Sequence, residues 1–241
     1  MRQERGLNLT NAGASAFMQT VLDDASAPLA RATLLAVGYW SGAVDPTVND
    51  DTTNGTRVGD IWVNTATLNV FDCLAITDGA AVWQHRPRIL GASAAAASHT
   101  GNTSETIKAT VVIPANALGI NGILRLSSTF SYPTSASAKN MRWRLGGIGG
   151  TVCMNFTATT TVNYSDVRRI ANRALTSSQI VSSSSGATAG GQGTGASALI
   201  APASDTTAAL DLVLTVQLAD GAETIIVESY MVELLRPNIG P

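Results

Sequence analysis

The chain has 241 residues, of which 13% are charged, about half the roughly 25% usual in soluble domains. Its 15 basic and 17 acidic side chains leave a net charge of −2, which removes the basic footprint of a nucleic-acid-binding surface. No stretch approaches 18 uninterrupted apolar residues, so no membrane insertion is expected, and Met1 to Thr10 do not have the layout of a secretory signal.

Residues 1–38 read as two short helices. Phe17, Met18, Val21 and Leu22 place an apolar stripe on one helical face, and Asp23 and Asp24 oppose the helix dipole and stop it. Ser26-Ala27-Pro28 then starts a second helix through Leu34. Helices this short need a partner to pack against. Phe17, Val21 and Leu22 are the contacts expected to be buried between copies of the chain.

Residues 39–90 open with a loop rich in Asp, Asn, Thr and Gly. Three β runs follow, Asp60 to Val63, Asn69 to Leu74 and Ala81 to Gln84, separated by turn residues. They predict a small meander with one face to bury and no second layer of its own. Residues 91–104 are Ala, Ser and Gly with little that is bulky, and read as a linker.

Residues 105–241 alternate with period two. Met141, Trp143 and Leu145 interleave with Asn140, Arg142 and Arg144, and Leu210, Leu212, Leu214, Val216 and Leu218 form a second row. Leu124, Leu126, Phe130 and Tyr132 form a third, and Ile226, Tyr230, Val232 and Leu234 a fourth. The prediction is an antiparallel, jelly-roll-like β-sandwich of seven or eight strands, so the fold class is mainly β. Ser182 to Ser197 carry no apolar anchor and read as a long exposed loop.

Residues able to do chemistry are sparse. His85 and His99 lack metal-spaced partners, and Cys73 and Cys153 stand apart as buried thiols. The pairs Asp23-Asp24 and Asp50-Asp51 diverge, whereas glycoside hydrolysis needs two carboxyls facing each other; Glu223, Glu228 and Glu233 lie along one strand. The Gly-rich runs 145–150 and 190–195 lack the Lys-Ser/Thr ending of a phosphate loop. No catalytic residue, cofactor or metal is expected. The least ordinary group is Arg168, Arg169 and Arg173, which suits a neighbouring subunit's carboxylate or an acidic sugar.

Phe17 to Leu34, with Leu22-Asp23-Asp24-Ala25 and Arg31-Ala32-Thr33-Leu34, resembles a segment common in bacteriophage tail fibres, departing from it at Pro28 and Leu35. Gly59-Asp60-Ile61-Trp62-Val63-Asn64-Thr65 with the two runs after it is similar to a β module recurring in phage appendages. Lys139-Asn140-Met141-Arg142, Arg168 to Arg173 and Glu228 to Leu235 resemble a fibre-tip domain. This resemblance implies a virion protein, a tail fibre or head spike assembled in the host bacterial cytoplasm as an elongated homotrimer. Its N-terminal part would attach to tail, baseplate, portal or capsid, and its tip would bind a host cell-surface glycan. Ser182, Gly190, Gln192 and Thr194 are the expected receptor contacts. Two other readings stay open: a decoration protein or head fibre without a specific receptor, and a secreted carbohydrate-binding β-sandwich.

Overall fold

A computed structural model describes residues 37–181 and 199–239. The predicted N-terminal helices with Phe17, Val21 and Leu22, and the loop residues Ser182, Gly190, Gln192 and Thr194, lie outside the described residues. The chain divides into two units: residues 37–86 with 238 and 239, and residues 87–237.

The first unit is one four-stranded sheet in the order β1-β2-β3-β4. β2 (Ile61–Asn64), β3 (Val70–Thr77) and β4 (Ala80–His85) form the expected antiparallel meander. β1 (Tyr39–Gly42) lies in the stretch read as loop and pairs parallel to β2. One face buries Trp40, Trp62, Phe71, Cys73, Ala81 and Trp83. In place of a second layer, carboxylates stitch the loop between β1 and β2 onto the sheet. Asp60 accepts from the Gly38 amide at 2.7 Å, the Trp40 indole at 2.7 Å and the Arg57 amide at 3.0 Å. Asp51 accepts from Thr53 and, at 2.7 Å, from the Gly79 amide. These bonds hold its carboxyl below the usual aspartate range, the Thr53 hydroxyl contributing most. The chain returns at its C-terminal end, where Ile239 exchanges backbone hydrogen bonds of 2.7 and 2.8 Å with Trp83.

The second unit is a two-sheet sandwich. One sheet runs β10 (Thr151–Ala158), β9 (Lys139–Leu145), β13 (Leu210–Leu218), β7 (Thr106–Ile113). The other runs β12 (Gln179–Val181), β11 (Asn163–Asn172), β8 (Ile123–Ser131), β14 (Thr224–Leu235), β5 (Arg88–Ser93), with β6 (Ala97–Thr100) also on β14. β7 and β8 lie in opposite sheets, as do β8 and β9, β10 and β11, and β13 and β14. The chain crosses between the sheets at these steps, whereas β9 with β10 and β11 with β12 pair within one sheet. Leu124, Leu126, Phe130, Met141, Trp143, Leu212, Leu214 and Val232 meet between the sheets.

Three sequence readings are corrected here. The segment read as a linker, 91–104, supplies half of β5 and all of β6, which pair antiparallel with β14. Its small side chains suit close packing: a Cβ on Gly91 would stand 2.8 Å from the Val111 side chain. The second unit accordingly starts at residue 87 rather than 105, and 238 and 239 belong to the first. Ile226 leaves the inward row of β14. A bulge between Val227 and Ser229 inserts a residue and flips the alternation, so Ile225 and Val227 face inward before it and Tyr230, Val232 and Leu234 after it.

Candidate functional site

Strand directions sort the loops of the sandwich onto two ends. At one end lie the start of β5, the end of β14 and the loops 114–122, 146–150 and 173–178. Both connections to the first unit leave from this end, because Arg88 pairs with Leu234 at the close of β14. Asn172 locks these loops, donating to the Gly119 carbonyl at 2.5 Å and to Thr206 Oγ1 at 2.9 Å while accepting from Gln179 at 2.8 Å. Residues 182–198 join Val181 of β12 to Leu199 on this sheet's edge, where Val181 and Ile200 pair.

At the opposite end lie the loops 101–105, 132–138, 159–162 and 219–223. The nine residues of β8 separate the two ends by roughly 30 Å. Lys139 is the centre of this second end. Its side chain is fully buried and donates to Ser135 Oγ at 2.6 Å and to the Ser137 carbonyl at 3.0 Å. Glu223 Oε2 lies 3.4 Å from its Nζ. One ammonium thus ties loop 132–138 to loop 219–223. Further bonds complete the frame: the Gly101 amide to the Gly221 carbonyl at 2.9 Å, Tyr132 Oη with Thr161 Oγ1 at 3.0 Å, and the Ser135 amide to the Thr159 carbonyl at 3.3 Å. Burial raises the Tyr132 phenol, so it stays protonated at neutral pH. Beneath this end, Glu105 holds Arg144 through two bonds of 2.7 and 2.8 Å, accepts from Thr215 at 2.5 Å and faces Arg142 at 3.4 Å.

On that frame stand exposed Asn102, Thr103, Ser104, Thr134, Thr159 and Thr160. Their amides and hydroxyls both donate and accept, so the end can exchange hydrogen bonds with a polar ligand without a fixed charge. Among the described residues no three His, Cys, Asp or Glu side chains come together to hold a metal.

The sequence-picked groups disperse. Arg168 is buried against Asp166 between the sheets, Arg169 is exposed on the opposite face of β11, and Arg173 is exposed at the far loop end. Strand alternation separates neighbours in this way. Glu223, Glu228 and Glu233 go to different partners, Lys139, Ser131 and Arg125. His85 is buried edge-on against Phe71, and His99 is buried, its pKa lowered by desolvation and by Lys108. Burial pushes Cys73 to about 11 and Cys153 to about 12, so both remain thiols. Lys139 was legible but unread: it shares the parity of Met141, Trp143 and Leu145, and an inward lysine in a chain with two lysines needs a polar nest.

No protein-family model matches the chain, and no curated protein does. Among solved structures, it is similar to that of infectious bursal disease virus, Gx strain, with a TM-score of 0.32 and 12% identity over 69% of this chain. It is also similar to the VP2 subviral particle of infectious bursal disease virus, with a TM-score of 0.30 and 14% identity over 76% of this chain. The chain spans 34% and 41% of those two proteins' lengths.

Proposed function

We propose that this chain is a structural protein of a virus particle, a phage fibre or spike of three copies. Its N-terminal part attaches to the particle, and the sandwich is presented outward without enzymatic chemistry. The phage-like order of segments in the sequence supports the class. The observation that carries the choice of recognition face is that exposed Asn102, Thr103, Ser104, Thr134, Thr159 and Thr160 stand on loops that Lys139 braces, at the end of the sandwich opposite to Arg88 and Leu234. Host-surface glycan is the ligand its hydroxyl- and amide-bearing loops suit. Each copy binds weakly, having little apolar area to bury, and several copies raise the avidity.

The test is adsorption of particles carrying Thr134→Arg with Thr160→Arg, two exposed positions at the braced end. Assembly and melting temperature should be unchanged, and the adsorption rate should fall about tenfold, the factor given by about 1.4 kcal/mol of lost binding. A parallel chain with residues 182–197 cut to a four-residue turn tests those residues as the alternative contact. Adsorption at the wild-type rate by the arginine variant, with loss only in the shortened one, overturns the assignment to the braced end.

A further inference from the structure

We infer that Arg142 anchors a carboxylate subsite on the outer face of β10-β9-β13-β7, so that the glycan met by the braced end is an acidic one, with a carboxylate on a sugar ring. The inference rests on the glycan reading above and adds to it the charge of the ligand.

The face is built in level rows. Thr157, Asn140 and Gln217 lie side by side on β10, β9 and β13, and Asn155, Arg142 and Thr215 form the next row. Glu105, just before β7, is shared by the guanidinium groups of Arg144 and Arg142. The sharing is unequal. Arg144 clamps it with Nε and Nη2 at 2.7 and 2.8 Å, and the Thr215 hydroxyl donates to Oε1 at 2.5 Å. Arg142 reaches it through Nη1 alone, at 3.4 Å, and gives the same nitrogen to Gln217 Oε1 at 3.0 Å. The Nε–Nη2 edge of Arg142 has no partner among the described residues. It is not enclosed, since the side chain is 16% exposed.

Two guanidinium charges against one carboxylate leave a positive charge over. The open edge is the fork by which this protein holds carboxylates elsewhere: Arg144 sets Nε and Nη2 on Glu105, and Arg86 sets the same pair on Asp72 at 2.8 and 2.5 Å. That fork matches the two oxygens of a carboxylate. Glu105 does not fill it, because its nearest oxygen meets Arg142 at Nη1. Asp211, the other acidic side chain on this face, stands four residues along β13 from Thr215, about 13 Å away and beyond the roughly 8 Å over which salt screens.

The surroundings suit a sugar. Asn140 accepts from the Thr157 hydroxyl at 2.6 Å, which leaves its amide N–H groups free to donate. Gln217 joins the fork to the braced end, accepting from Arg142 and donating to the Thr103 carbonyl at 3.2 Å. Exposed Asn102, Thr103 and Ser104 therefore continue the same surface. Ring hydroxyls meet these amides and hydroxyls while the carboxylate takes the fork.

The test uses the whole chain and immobilised probes in matched pairs: oligogalacturonate with its methyl ester, and sialyllactose with lactose, with poly-glutamate as a carboxylate that is not a sugar. The wild type should hold at least one acidic sugar about tenfold more tightly than its neutral counterpart, and the preference should shrink as salt rises. Arg142→Gln should weaken acidic-sugar binding about ten- to a hundredfold, and Arg142→Lys, which keeps the charge but not the fork, should restore only part of it. Thr157→Glu, at an exposed position diagonal to Arg142, places a carboxylate in reach of the fork. It should give the same loss with an unchanged melt, which covers the case of an Arg142 variant that folds poorly. Thr134→Glu with Thr160→Glu should adsorb more slowly than the arginine pair, because repulsion adds to bulk; the reverse order overturns the acidic ligand. Neutral sugars held as tightly as acidic ones, or acidic-sugar binding that survives both Arg142→Gln and Thr157→Glu, make the subsite wrong and leave the glycan reading standing. Equally tight retention by poly-glutamate overturns the sugar as ligand, and retention by none of the sugars overturns both readings.

Discussion

Replacing Lys139 by methionine asks how much the buried ammonium contributes to the braced end. The change keeps an unbranched side chain of similar volume but removes two hydrogen bonds and the attraction to Glu223. Hydrogen bonds to a charged group contribute about 1.5–3 kcal/mol each, and part of this offsets the cost of taking the ammonium out of water. A net loss of about 2–3 kcal/mol follows. For a unit of this size each kcal/mol moves the melting temperature about 2–4 °C, so the drop should be about 5–10 °C. Lys139→Ala also opens space for three methylenes, at about 0.8 kcal/mol each, and should melt about 5 °C lower again. Far-ultraviolet circular dichroism follows the melt, and hydrogen exchange should quicken in loops 132–138 and 219–223 while the Asn172 end stays protected. A methionine variant that melts at or above the wild type would show that desolvation outweighs the contacts, and that the ammonium does not brace this end.

Two further expectations concern acid and the C-terminus. The Glu105 carboxyl is held below its ordinary 4.5, first by the hydrogen bond from Arg144. Its folded pKa lies below its unfolded one, so its stabilisation is complete above about pH 4.5 and is lost as pH falls toward the folded value. Urea melts at descending pH should show this loss in the wild type, whereas Glu105→Gln should be less stable at pH 7 and flatter below pH 4.5; parallel curves would contradict it. Ending the chain at Pro237 removes Ile239, with its two backbone bonds to Trp83 and its apolar contact, about 2–4 kcal/mol together. Since Trp40, Trp62 and Trp83 lie in the first unit and Trp143 in the second, the tryptophan-fluorescence melt should fall while the circular dichroism melt of the sandwich holds. Coincident, unshifted melts would mean that the C-terminal return does not support the first unit.

Sequence alone determined what period-two alternation can encode. It placed the meander strands β2 to β4, the inward rows Leu124-Leu126-Phe130 and Met141-Trp143-Leu145, and the mainly β sandwich, because a strand with one wet face must alternate. Tertiary structure decided what alternation does not carry. Small residues such as Gly91 and Ala92 have no pattern of their own and become β5 only because β14 offers an unpaired edge and Val111 leaves no room for a side chain. The bulge in β14 reversed the parity of Ile226, a shift that depends on the partner strand β8 rather than on the local residues. Neighbouring arginines in β11 were separated by the strand itself. Lys139 and Glu223, 84 positions apart, came together because β9 and β13 pair and deliver loops 132–138 and 219–223 to the same end, an encounter that depends on non-local strand pairing.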